Sequence, residues 1–129
     1  MTVAVLGSIN MDVIAYSARL PRPGETIHGT SYRTGLGGKG ANQAAAVARL
    51  GARVAMIGRV GGDGFGAQAL SELPSHGVDT AAVSRDANSA TGIALIGVGE
   101  GGQNVITVIA GANAAVGADD VARAAVILG

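Results

Sequence analysis

The sequence predicts an α/β fold: a mainly parallel sheet packed against helices, with a second, smaller β-sheet beside it. Three observations carry this. Short apolar runs alternate with helix-forming segments, as parallel sheets require. A glycine-rich turn, Gly35 to Gly40, leads straight into an alanine-rich helix. Two apolar β runs joined by Gly99-Glu-Gly-Gly102 form a hairpin that interrupts the alternation.

Val3 to Leu6 is wholly apolar, the pattern of a strand buried on both faces. It stops at Gly7-Ser8. Asn10 and Asp12 follow two apart, and in extended chain they point to one side. Just beyond a buried strand, that is where open α/β sheets hold ligands; a turn with an Asx hydrogen bond is the alternative. Val13 to Arg33 reads as irregular extended chain with Pro21 and Pro23 fixing the backbone. Thr26 to Thr34 within it has strand character and is too polar for the core, so it forms a flap.

Ala41 to Leu50 is a strong helix former, with Gly51 as the residue that ends it. Arg53 to Gly58 is a second buried strand. Val60 to Gly66 is another glycine-rich turn, Phe65 to Leu73 a second helix closed by His76-Gly77, and Val78 to Ser84 a third strand. Thr91 to Val98 and Asn104 to Ala110 are the hairpin strands. Gly111-Ala-Asn113 is a turn. Asp119 to Ala125 is helical, with acid at its start. Ala124 to Leu128 reads as the entry to a further buried strand, and an apolar edge there predicts self-association. The chain is therefore expected to be part of a larger protein.

Composition narrows the function. Nine basic and nine acidic residues balance, so no basic footprint points to nucleic acid. There are no cysteines, which excludes disulfides and thiolate metal sites. No apolar run reaches the length of a membrane span, and the N-terminus lacks a signal-peptide pattern; the cytoplasm is the expected compartment. With three aromatic residues, Tyr16, Tyr32 and Phe65, the core must pack through Ala, Val, Ile and Leu.

Lys39, the single lysine, sits among four glycines at a helix start. Bare amides and the positive end of the helix dipole suit an oxygen-rich or anionic ligand there. Asn42 lies one turn on, on the same face. With Asn10 and Asp12 these make a polar cluster suited to a sugar, whose hydroxyls need both donors and acceptors. The segment Gly35-Leu-Gly37-Gly-Lys-Gly40 also fits G-x-G-x-x-G. Its context fails, because the preceding strand is polar and Arg59, not an acid, ends the following one. It is not a Walker A loop, since Gly40 follows Lys39. His28 and His76 have no metal spacing, and Ser8, Ser17 and Ser31 have no nucleophile-elbow context.

These motifs resemble the ribokinase family, the phosphofructokinase B-type carbohydrate kinases. The resemblance rests on Gly37-Gly-Lys-Gly-Ala-Asn42-Gln-Ala44 with its spacing to Gly51 and Gly61. Gly7-Ser-Ile-Asn10-Met-Asp12, Pro23-Gly-Glu-Thr26, Ser89-Ala-Thr-Gly92 and Gly111-Ala-Asn113 follow in the family's order. The resemblance implies a three-layer α/β/α sandwich with a small β-sheet lid, truncated after the N-terminal half. The core would be residues 1–12, 36–90 and 111–129, and the lid about 13–35 and 91–110. It implies an ATP-dependent sugar kinase, with phosphorylation of D-ribose at its 5-hydroxyl the first expectation. A sugar-binding or dimerising fragment without catalysis is the second.

By the same resemblance Asn10, Asp12, Gly38, Lys39, Gly40 and Asn42 would bind the sugar, Ala94, Ile96 and Val108 would contact it from the lid, and the lid would form a homodimer. ATP, Mg2+ and a monovalent cation such as K+ would bind through segments beyond Gly129, as would the catalytic base. Gly117-Ala-Asp-Asp120 mimics the base-bearing loop but lacks its second glycine. Gly62 also departs from the family pattern, and no role is assigned to Asp63.

Overall fold

The computed structural model describes residues 1–129. Strand β1 (Thr2–Leu6) pairs in parallel with β4 (Arg53–Gly61), which pairs in parallel with β5 (Val78–Asp79) and, further along, with β6 (Val83–Asp86). Between them run helices α1 (Lys39–Arg49) and α2 (Gly64–Ser75), and α3 (Ala118–Leu128) closes the chain. A second sheet has the order β3-β2-β7-β8, built from β2 (Asn10–Ser17), β3 (Ser31–Gly37), β7 (Gly92–Gly99) and β8 (Asn104–Ile109). No helix is long and apolar enough to cross a membrane.

Central strand β4 explains the layers. Successive side chains on a strand point to opposite faces. Val54 and Met56 enter the main core with Ala41 and Ala44 of α1 and Ala69 and Leu73 of α2. Ile57 packs the other way, against Ala82 and Ala124 of α3. The fold is thus the expected α/β/α sandwich. Its buried core holds Ala and Val with Ile9, Met11, Met56 and Leu73 and no aromatic ring, and α1 approaches so closely that Gly40 meets Gly7. A Cβ built on Gly40 would lie 2.8 Å from the Gly7 Cα.

The second sheet joins two hairpins side by side. β2–β3 and β7–β8 are each antiparallel, whereas β2 and β7 are parallel because the chain between them passes through the core. Glu72 of α2 ties this sheet down by accepting from the Leu36 amide (3.1 Å).

Four sequence expectations are corrected. Ala124 to Leu128 is not a strand: α3 runs on through Leu128. Acidic residues at its start, Asp119 and Asp120, and helix-favouring Ala, Arg and Leu support it, while Ala124 and Leu128 pack four residues apart on one face. β1 is not buried on both faces. It pairs only with β4, and of its residues only Val5 is buried while Leu6 is 53% exposed. Val78 to Ser84 is not continuous, since Asp79 accepts from the Ala81 amide (2.8 Å) and turns the chain between β5 and β6. The flap strand begins at Ser31, and the stretch from Asn10 to Ser17, read as irregular beyond Asp12, is a full strand.

Asp120 is fully buried at the head of α3. Arg59 Nε donates to both its oxygens (2.9 and 3.1 Å), Arg123 donates to Oδ1 (2.7 Å) and the Gly117 amide to Oδ2 (2.9 Å). Burial pushes its pKa up, but these donors outweigh that and hold it below the usual carboxylate range. The Gly117 to Asp120 segment is therefore a helix start whose carboxylate is consumed by structure.

Candidate sugar-binding site

A hollow of about 550 Å³ opens between the start of α1 and the second sheet. Its floor is set by the turn after β1. The Ser8 carbonyl accepts from the Ala41 amide (3.0 Å), which docks the first turn of α1 beside it. Gly38 caps that helix with φ +90°, and a Cβ there would strike the Ser8 carbonyl oxygen at 2.7 Å. Only glycine combines that backbone with that approach.

Lys39 is then the first residue of α1, and Asn42 the fourth. Both line the hollow, and Lys39 is exposed and pairs with no carboxylate.

Register builds the opposite wall. Asp12 on β2 sits beside Ala94 on β7, which sits beside Val108 on β8; Ile96 and Ile106 form the next facing pair. Alternation puts Asn10 and Asp12 on one side of β2, and both line the hollow with Ala94, Ile96, Ile106 and Val108. The Asp12 carboxylate lies over Gly37, where any side chain would displace it. Partial burial raises its pKa, and the Arg33 guanidinium only partly offsets this.

Eight of the nine predicted residues, Asn10, Asp12, Gly38, Lys39, Asn42, Ala94, Ile96 and Val108, line this one hollow. Gly40 is the exception. It is buried against Gly7 and Met56, so it sets how closely α1 packs and does not face the hollow. Sequence reasoning missed Ser8, Ile106, Ala110 and Asn113, which also line it. Ile106 could have been found, since it is two residues from Val108 on the same strand. Asn113 carried a turn signal and a place in a family motif, neither of which gave it a role in the site.

The helix side thus carries the Lys39 ammonium and the Asn42 carboxamide, while the sheet side sets Asn10 and Asp12 of β2 beside an aliphatic patch on β7 and β8. Such a surface can pair hydroxyls with donors and acceptors while covering a C–H face. A second hollow, about 370 Å³, lies between the main sheet and α3 and is lined almost wholly by apolar residues. It offers no such convergence.

These features define an α/β protein with a polar cradle between a helix N-terminus and a small second sheet. Residues 1–127 match the pfkB family carbohydrate kinase model, and the chain belongs to that family. It is 41% identical to a ribokinase of Mus musculus over 98% of this chain and 39% of that protein. It is 39% identical to a deoxyribokinase of Salmonella typhi over 97% of this chain and 41% of that protein. A solved structure of Arabidopsis thaliana ribokinase complexed with ribose and ATP superposes with TM-score 0.80 at 38% identity, covering 87% of this chain and 36% of that one. The chain therefore spans about two fifths of the length of the relatives it matches.

Proposed function

We propose that this chain carries the sugar-holding part of an ATP-dependent carbohydrate kinase, with D-ribose as the sugar and its 5-hydroxyl as the phosphoryl acceptor. The observation that carries the reading is the convergence of Asp12, Lys39, Asn10 and Asn42 on one hollow that Ala94, Ile96 and Val108 also line. Asp12 accepts from sugar hydroxyls, and Lys39 and the start of α1 donate to sugar oxygens. The aliphatic strand wall excludes water from the C–H face.

Phosphoryl transfer is mostly positioning and charge stabilisation. The residues of this chain supply positioning of the acceptor. ATP, Mg2+ and a monovalent cation are assigned to residues outside this sequence, as is the base, since the carboxylate nearest to a base-bearing loop, Asp120, is buried and triply engaged. The second sheet acts as a lid. Val105 and Ile109 on its edge strand β8 are exposed outside the hollow, and we assign homodimer formation to that edge.

The test is calorimetric titration of the 129-residue chain with D-ribose and 2-deoxy-D-ribose, alongside ATP turnover with each sugar. Saturable binding without turnover supports the reading. Absence of sugar binding overturns it.

A further inference from the structure

Asn113 makes a set of hydrogen bonds that fixes more than its own position. Its Oδ1 accepts from the Ile9 amide (2.9 Å), and its Nδ2 donates to the Ile9 carbonyl (3.1 Å) and to Asn10 Oδ1 (2.8 Å). A carboxamide's oxygen and nitrogen are assigned from their partners. Here the partners are unambiguous, because a peptide N–H only donates and a peptide C=O only accepts. The Ile9 peptide therefore orients Asn113. Asn113 in turn presents a donor to Asn10, so the Asn10 atom facing it must be the oxygen.

The Asn10 nitrogen is left without a partner inside the chain. Every fully buried side-chain nitrogen or oxygen has one, and Asn10 lines the hollow. Its NH2 group thus opens there.

The surroundings keep the arrangement in place. Gly92 pairs with Asn10 in the second sheet. A Cβ on Gly92 would collide with Asn113 Nδ2 and Asn10 Oδ1. Gly111, at φ +53° and hard against the Ala90 carbonyl, makes the turn that delivers Asn113.

We propose that Asn113 is a positioning residue: it turns the Asn10 carboxamide so that Asn10 meets the ligand as a hydrogen-bond donor. This rests on the sugar reading for the ligand, but the orientation itself does not. Two residues along β2, Asp12 is an acceptor. The strand therefore offers a donor and an acceptor side by side, suited to a sugar bearing a free oxygen opposite the first and a hydroxyl opposite the second.

Side-chain amide exchange with water, followed by NMR on the unliganded chain, tests the orientation without any variant. The Asn113 NH2 should exchange at least about tenfold more slowly than the Asn10 NH2, because its nitrogen is doubly engaged. Equal rates would overturn the proposal. Asn113→Asp keeps the acceptor for the Ile9 amide and removes the donor, so the Asn10 amide turns over and presents its oxygen to the hollow. Its NH2 should then become protected from exchange, and D-ribose affinity should fall about tenfold or more.

In an Asn10→Ala background the same substitution should cost no further affinity. An equal loss with and without the Asn10 carboxamide would show a merely structural role. Should the parent chain bind no sugar, the functional reading fails, while the exchange rates still decide the orientation.

Discussion

Asp63 accepts from Thr91 twice: from the hydroxyl at 2.6 Å and from the amide at 2.9 Å. The same carboxylate caps α2 by accepting from the Gly66 amide (2.9 Å), and the Thr91 hydroxyl accepts from the Gly61 amide (2.9 Å). One acid thus binds the glycine turn after β4, the head of α2 and the residue from which β7 departs.

Asp63→Asn should lower unfolding free energy by about 2 kcal/mol, since a carboxamide nitrogen would face a buried amide donor. Asp63→Ala should cost roughly 1 kcal/mol more through the lost cap. Urea midpoints at pH 7 check both. The Thr91 hydroxyl is the main group holding the Asp63 pKa below its ordinary 3.8. A depressed pKa means the contribution is complete above the unfolded value, about 3.9, and disappears as pH falls through the folded one. The stability gap between parent and variant should therefore close in strong acid.

Asp12 behaves oppositely. Its pKa is raised by burial, so the folded state binds its proton more tightly than the unfolded state, and ionised Asp12 weakens the fold above that window. Asp12→Asn should raise the melting temperature at pH 7 while reducing D-ribose affinity about tenfold or more. Affinity of the parent should also fall as pH drops through the raised pKa. Scanning calorimetry and ribose titration read the two effects separately; a variant that loses both stability and affinity contradicts the assignment.

Lys39→Ala tests the helix-start contact. Lys39 is exposed and pairs with no carboxylate, so stability should change by no more than about 0.5 kcal/mol. Ribose affinity should drop by about 1.5–3 kcal/mol, the range for a charged hydrogen bond. Unaltered affinity would remove Lys39 from the site.

Gly40→Ala tests packing. The added methyl would press on Gly7 backbone and the Met56 methyl, costing roughly 1–3 kcal/mol. A matching Gly7→Ala change should not add fully, because both crowd the same contact. Chemical denaturation of the two single variants and the double variant measures this.

Local pattern determined much of this protein. The alternation of apolar runs and helix formers, the glycine turn at Lys39, and the hairpin around Gly99 to Gly102 were legible because each depends on nearby residues. So was the pairing of Asn10 with Asp12 on one side of a strand. What only the tertiary structure decided involves partners far apart in the chain. Asn113 reaches residues more than a hundred positions earlier, and Asp63 reaches Thr91 across α2 and two strands. Gly40 turned out to face a helix–strand contact, and Ala124 to Leu128 to continue a helix. An apolar run states that it must be buried, but the period of its surroundings and the surface it finds decide its shape. A lone polar residue in a turn states less still, since its meaning lies wholly in what the fold brings within hydrogen-bonding distance.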